Sequence, residues 1–126
     1  MNDITDIDSI RLFVDEFYDK VRRDDLIGPV FLKAIPGDWQ PHLDKMYAFW
    51  NTILFGVSGY KGNPFSKHAP LQIKQDHFDR WLKLFAETIN THFNGPVAQD
   101  AQKRAGLMAE MFLSRLRYTD PNRIVF

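Results

Sequence analysis

The chain has 126 residues, with sixteen basic and sixteen acidic side chains and no cysteine. That length suits one domain, residues 1–126, around one core, and the balanced charge gives no net field to draw nucleic acid or an anionic membrane. Without a thiol there is no disulfide framework, thiolate metal site, cysteine nucleophile or covalent cofactor attachment through C-x-x-C-H.

The opening MNDITDIDS has neither a basic n-region nor an apolar h-region, so no signal peptide is expected. No apolar run approaches the roughly 20 residues that span a bilayer. The expectation is a soluble, cytoplasmic protein without a membrane partner. Helical periodicity then dominates. From about Asp8 to Asp24, the residues Ile10, Phe13, Val14, Phe17, Tyr18 and Val21 fall on one face, with Asp8, alone or with Thr5, as the cap. Gly28-Pro29 reads as a break, and Val30 to Ile35 as a short turn of helix ended by Pro36-Gly37. A third helix is predicted from about Trp39 to Phe55, capped by Asp38 and stopped by Gly56, with Pro41 tolerated in its first turn.

The stretch VSGYKGNPFSKHAPLQ is the least regular part of the chain, and within it His68 stands between Pro64 and Pro70. A long helix follows, from about Lys74 to Phe93, with Phe78, Trp81, Leu82, Phe85, Ile89 and Phe93 on one side. Asn94-Gly95-Pro96 joins it sharply to the last helix, about Val97 to Tyr118. There the small residues Ala101, Ala105 and Ala109 leave room for another helix to come close. Asp120-Pro121 ends it, and the apolar tail NRIVF is expected to fold back onto the body. No strand pattern emerges, so the fold class is all-α. Eleven Phe, four Tyr and three Trp fill its core or line a cavity for something large and flat.

Four histidines are candidates for chemistry. His92, near a helix end, reads as a surface residue whose charge complements the dipole. His77 reads as a capping or packing residue. His42 heads an apolar stripe continued by Met46, Phe49, Trp50 and Ile53, where a lone histidine is more often a core residue than a functional one. His68 alone would be a loop histidine bonded to a carbonyl. Together they are harder to dismiss, because the chain returns after Gly56 and can set both imidazoles across one cavity. Tyr18 adds a phenol and Trp81 an indole N–H, polar tips that need partners when buried. This set suits a bound metal cofactor and fits carboxylate-driven hydrolysis poorly.

Other chemistries lack their signatures. Gly56-x-x-Gly59-x-x-Gly62 has neither the strand nor the spacing of a dinucleotide loop, and neither G-K-[ST] nor H-E-x-x-H occurs. A His–His zinc site stays open, though without an obvious third ligand at helical spacing. Ser66 has no nucleophile elbow around it.

Four ordered pieces resemble the truncated haemoglobins, and among them group III, of the bacterial-type globins. They are FYDKVRRDDLIGPVF (Phe17 to Phe31), WQPHLDKMYAFW (Trp39 to Trp50), Gly59-Tyr60-x-Gly62-x-Pro64 leading to Lys67-His68, and HFDRWLKLF (His77 to Phe85). The resemblance implies a truncated globin: a two-over-two helical sandwich with a largely non-helical proximal loop. It implies His68 as the proximal ligand to the iron of a noncovalent haem b, aimed by a proline-restricted loop and oriented through its other ring nitrogen. On the opposite face it implies Tyr18, His42 and Trp81 as the distal set, which group III carries. Phe31 would stack on the haem plane, with Met46, Phe49 and Trp50 lining the pocket. Tyr60 and Lys67 are candidates for the haem propionates. The glycine motifs of other truncated groups are not clear here, as in group III.

The function so implied is binding of O2, CO and NO at a pentacoordinate or water-ligated iron. Hydrogen bonds from Tyr18 and Trp81 would slow O2 release, favouring NO dioxygenation or peroxide activation, with a reductase as partner, over oxygen transport. His42 would gate entry or serve as acid–base. A monomer is expected. Two other classes remain open: a non-catalytic haem oxygen carrier or sensor, and a cofactor-free helical interaction domain in which the aromatics are only core. Adjacent helix residues diverge by about 100°, so Phe17 and Tyr18 cannot both face the pocket, and the resemblance selects Tyr18.

Overall fold

In a computed structural model of the chain, residues 1–60 and 74–119 are described, with side chains as far as residue 114. Among them are five helices and no strand: α1 (Ile7–Arg23), α2 (Gly28–Ala34), α3 (Gln40–Phe55), α4 (Gln75–His92) and α5 (Pro96–Thr119). Helix α1 packs on α3 and α4 on α5, and the pairs meet through α1 against α4 and α3 against α5, two helices over two. The expected non-helical connection carrying His68 and the NRIVF tail lie outside the described residues. No described helix is long and apolar enough to cross a membrane.

The cap of α1 is Asp6, not Asp8 or Thr5. From an extended backbone its carboxylate accepts the Ser9 N–H at 2.9 Å and the Ser9 hydroxyl at 3.0 Å. Asp8 already lies in the first turn, where its charge only favours the dipole. Nor is Gly28-Pro29 a break: it forms the first turn of α2, where proline loses no helical hydrogen bond. At the start of α3, Asp38 accepts the Gln40 N–H at 3.0 Å, and Gly56 ends the helix in the left-handed region at φ 69°.

Long-range polar contacts tie the helices together. The Tyr47 hydroxyl of α3 donates to Asp15 of α1, and burial followed by that carboxylate pushes the phenol up to about 12. His92 of α4 is half-buried and bonds Glu16 of α1 through Nε2, so it does more than complement a helix end. Asp3 reaches the far end of the sequence, accepting the N–H groups of Val97 at 3.0 Å and Ala98 at 2.8 Å in the first turn of α5. Gly95 makes room for it. A Cβ there would come within 2.5 Å of the Asp3 Cγ, and its φ of 151° suits only glycine.

Asp24 turns the chain from α1 into α2. Its carboxylate accepts the N–H of Leu26 at 3.0 Å and of Ile27 at 2.9 Å, and receives Arg80 of α4 at 2.7 Å. Burial pushes this carboxyl up, but the Ile27 N–H, Arg80 and the Leu26 N–H outweigh it and hold the group below its ordinary value. A carboxyl depressed in the fold stabilises it fully above its unfolded pKa of about 3.9. That stabilisation is lost as pH falls through the folded value. Asp24→Asn is therefore expected to melt roughly 4 °C lower at pH 7. The gap should narrow below about pH 4; a gap that persists into acid would show that the charge contributes nothing.

Phe13 is the centre of the core, with no exposure. The rings of Trp50, Phe85 and Phe93 meet it edge-on at 5.7, 5.9 and 6.4 Å. Trp50, Phe85 and Trp81 stack in a row, at 5.2 and 5.9 Å between neighbours. Ala101, Ala105 and Ala109 are buried, as close approach of α5 to its neighbours requires.

Candidate functional site

Helix geometry separates the two adjacent rings of α1. Phe17 turns toward α4, meeting Trp81 at 5.4 Å and Phe85 at 5.3 Å. Tyr18 turns toward α2 and α3, meeting His42 at 5.0 Å, Trp39 at 5.9 Å and Phe31 at 6.5 Å. Both are buried, so the divergence expected from the 100° step is met by two separate environments. Tyr18 and His42 do come together, with ring planes at 86°, and the His42 Nε2 is buried.

Trp81 joins the group from α4 through Phe17, and it also walls a second space. An apolar pocket, partly open to solvent, is lined by Ile27, Val30, Phe31, Phe78, Trp81 and Phe112, with His77 beside them. Phe31 thus faces both Tyr18 and this pocket. The His77 Nδ1 accepts the Lys74 N–H at 2.9 Å, the capping role expected of it.

The Tyr18 phenol is held protonated. Burial raises it well above its ordinary value, and the Tyr60 phenol adds to the rise. Among the described residues no hydrogen bond reaches the Tyr18 hydroxyl or the Trp81 indole N–H. Trp81 lines the apolar pocket and Tyr18 stands beside Phe31 on its wall, and no described residue offers either donor an acceptor. A flat apolar cofactor carrying a small polar ligand fits that arrangement.

The other predicted residues fall as follows. Phe49 is buried, edge-on to Tyr60 at 5.2 Å and to Trp50 at 5.4 Å. Met46 is half-buried against the core, and Trp50 lies within the core stack. Tyr60 is half-buried on Phe49, and its phenol adds to the rise of the Tyr18 phenol. His68 and Lys67 lie outside the described residues. Trp39 was not singled out in the sequence, yet it packs on both Tyr18 and His42. Its signal was there: Trp39 precedes His42 by three residues, the spacing that shares a helix face.

Known proteins resemble this chain in sequence and fold. Residues 3–113 match the family model described as bacterial-like globin. The Group 3 truncated hemoglobin ctb of Campylobacter jejuni is 36% identical over 113 residues, 86% of this chain and 89% of that protein. The Group 1 truncated hemoglobin GlbN of a Nostoc species is 33% identical over 82 residues, 64% of this chain and 67% of that one. Among solved structures, the group III truncated haemoglobin of C. jejuni superposes with a TM-score of 0.84, covering 92% of this chain and 95% of that one. The group II protein of Bacillus anthracis superposes at 0.75 with 23% identity, covering 86% of this chain and 85% of its own, which speaks for the fold alone.

Proposed function

We infer, for a chain that belongs to the bacterial-like globin family and within it to the group III truncated haemoglobins, that it binds haem b and, through it, O2, CO and NO. The observation that carries this reading is the phenol of the buried Tyr18, held protonated and set close to Phe31 on the wall of an apolar pocket. The cofactor supplies an iron that takes small diatomic ligands. His68 is the residue that would hold that iron, and Phe31, Met46 and Phe49 would line the ring. Tyr60 and Lys67 would meet its carboxylates.

The chain's own part is to receive a polar ligand in a dry space. Tyr18 and Trp81 offer it two hydrogen bonds where low dielectric strengthens them. Each contributes about 1–2 kcal/mol, so the pair slows release by roughly tens- to hundredsfold. Slow release favours redox use of the ligand, NO dioxygenation or peroxide activation fed by a reductase, over bulk transport. His42, beside Tyr18, gates entry and can pass a proton.

Visible spectra of the wild type and His68→Gly test the reading. The wild type is expected to show a Soret band that shifts on reduction and again with CO. In His68→Gly that band should be lost or moved. A colourless protein that takes up no added haemin would leave only a helical domain packed with aromatics.

A further inference from the structure

Trp39 closes the α1–α3 side of the site from behind. It is buried, its ring lies 5.6 Å from that of His42 with planes at 87°, and it is tilted on Tyr18 at 5.9 Å. Arg22 covers it: the guanidinium carbon lies 4.9 Å from the Trp39 ring, in cation–π range. The same guanidinium donates through Nε to the Tyr18 carbonyl at 3.3 Å. Arginine and indole thus link the backbone of the phenol to the ring of the imidazole. His42 itself is only half-buried, near the start of α3, so rotation about its side-chain bonds can carry it outward. An inward ring needs something to lie against, and Trp39 is on its edge.

We propose that Trp39, held by Arg22, is a positioning residue: it keeps the His42 ring turned against Tyr18 and so sets how often the site opens to an entering ligand. The second half of this statement rests on the haem reading above, and the first stands on the protein's own side chains. Loss of an aromatic pair of this kind shifts a two-position equilibrium by about three- to tenfold.

Two readouts test it. In the haem-free protein, the His42 Hε1 NMR resonance feels the ring currents of Trp39 and Tyr18. It is expected to move toward the position of an unstructured histidine in Trp39→Leu, and to stay near its wild-type position in Trp39→Phe. In the haem-loaded protein, CO association after flash photolysis should accelerate about three- to tenfold in Trp39→Leu, less in Arg22→Gln, and return toward the wild-type rate in Trp39→Phe. Combined with His42→Ala, the Trp39 substitution should add nothing, since no ring remains to be held. A His42 resonance that stays in place in Trp39→Leu overturns the proposal, as does an acceleration that persists without His42. Should Trp39→Leu fail to fold, Arg22→Gln decides, and an unmoved resonance there counts against it. A wild type that binds no haem would end the ligand reading, and the resonance would still decide the positioning.

Discussion

Tyr18→Phe is expected to raise the O2 dissociation rate of the haem-loaded protein about tenfold or more, with almost no change in its melting temperature. The two halves of that result have separate causes. The ring of Tyr18 packs on His42, Trp39, Phe31 and Phe17, and phenylalanine keeps that packing. The hydroxyl has no hydrogen bond among the described residues, so its removal strands none of them. With the phenol held protonated by burial, it is a donor at every physiological pH, and no pH dependence of release should arise from it. Trp81→Phe would remove the second donor and should act in the same direction. Stopped-flow displacement of O2 by CO measures the rate. An unchanged rate in Tyr18→Phe would remove Tyr18 from ligand stabilisation and leave its ring as core.

Phe13→Ala carries the largest expected cost to the fold. Phe13 is fully buried, and three aromatic rings from α3, α4 and the residue after α4 close on it edge-first. Deleting it removes the transfer energy of a benzyl group and leaves a void that rigid neighbours cannot fill, about 3–5 kcal/mol in all. That is a large share of the roughly 5–15 kcal/mol that holds a domain of this kind folded. Its reach extends to the site, because Phe85 touches both Phe13 and the Phe17 and Trp81 rings. Urea unfolding of the haem-free protein gives the number. A loss below about 1.5 kcal/mol would mean that the core collapses around the gap.

Much of this architecture is legible in the order of residues, and the rest shows why some is not. Apolar positions at helical spacing place four of the five helices within a few residues, since burial of one stripe decides the element. The cap of α1 was misplaced because Thr5, Asp6 and Asp8 offer similar chemistry, and only the extended backbone at Asp6 tells them apart. Gly28-Pro29 reads equally as a stop and as a first turn, and packing against α1 chooses the latter. Tyr18 and His42 meet in the fold, although nothing local relates residue 18 to residue 42. The His92–Glu16 contact spans 76 residues and leaves no trace in either neighbourhood. Trp39 was visible as a residue one turn from His42 but invisible as a wall, because that role depends on where α1 puts Tyr18 and Arg22.

The contact from Asp3 to Val97 and Ala98 also bears on how the chain comes together in time. It joins residues 94 and 95 apart, so closing it carries the entropic cost of a very long loop. A chain emerging from the ribosome at roughly 5–20 residues per second can bring α1 to α2 and then to α3 early. It cannot seat Asp3 until the first turn of α5 has appeared, several seconds later. Until then the fully buried Ile4 side chain, next to that carboxylate, has no finished surface to rest on. Ile4, made before any of the five helices, is thus among the last side chains to find its place.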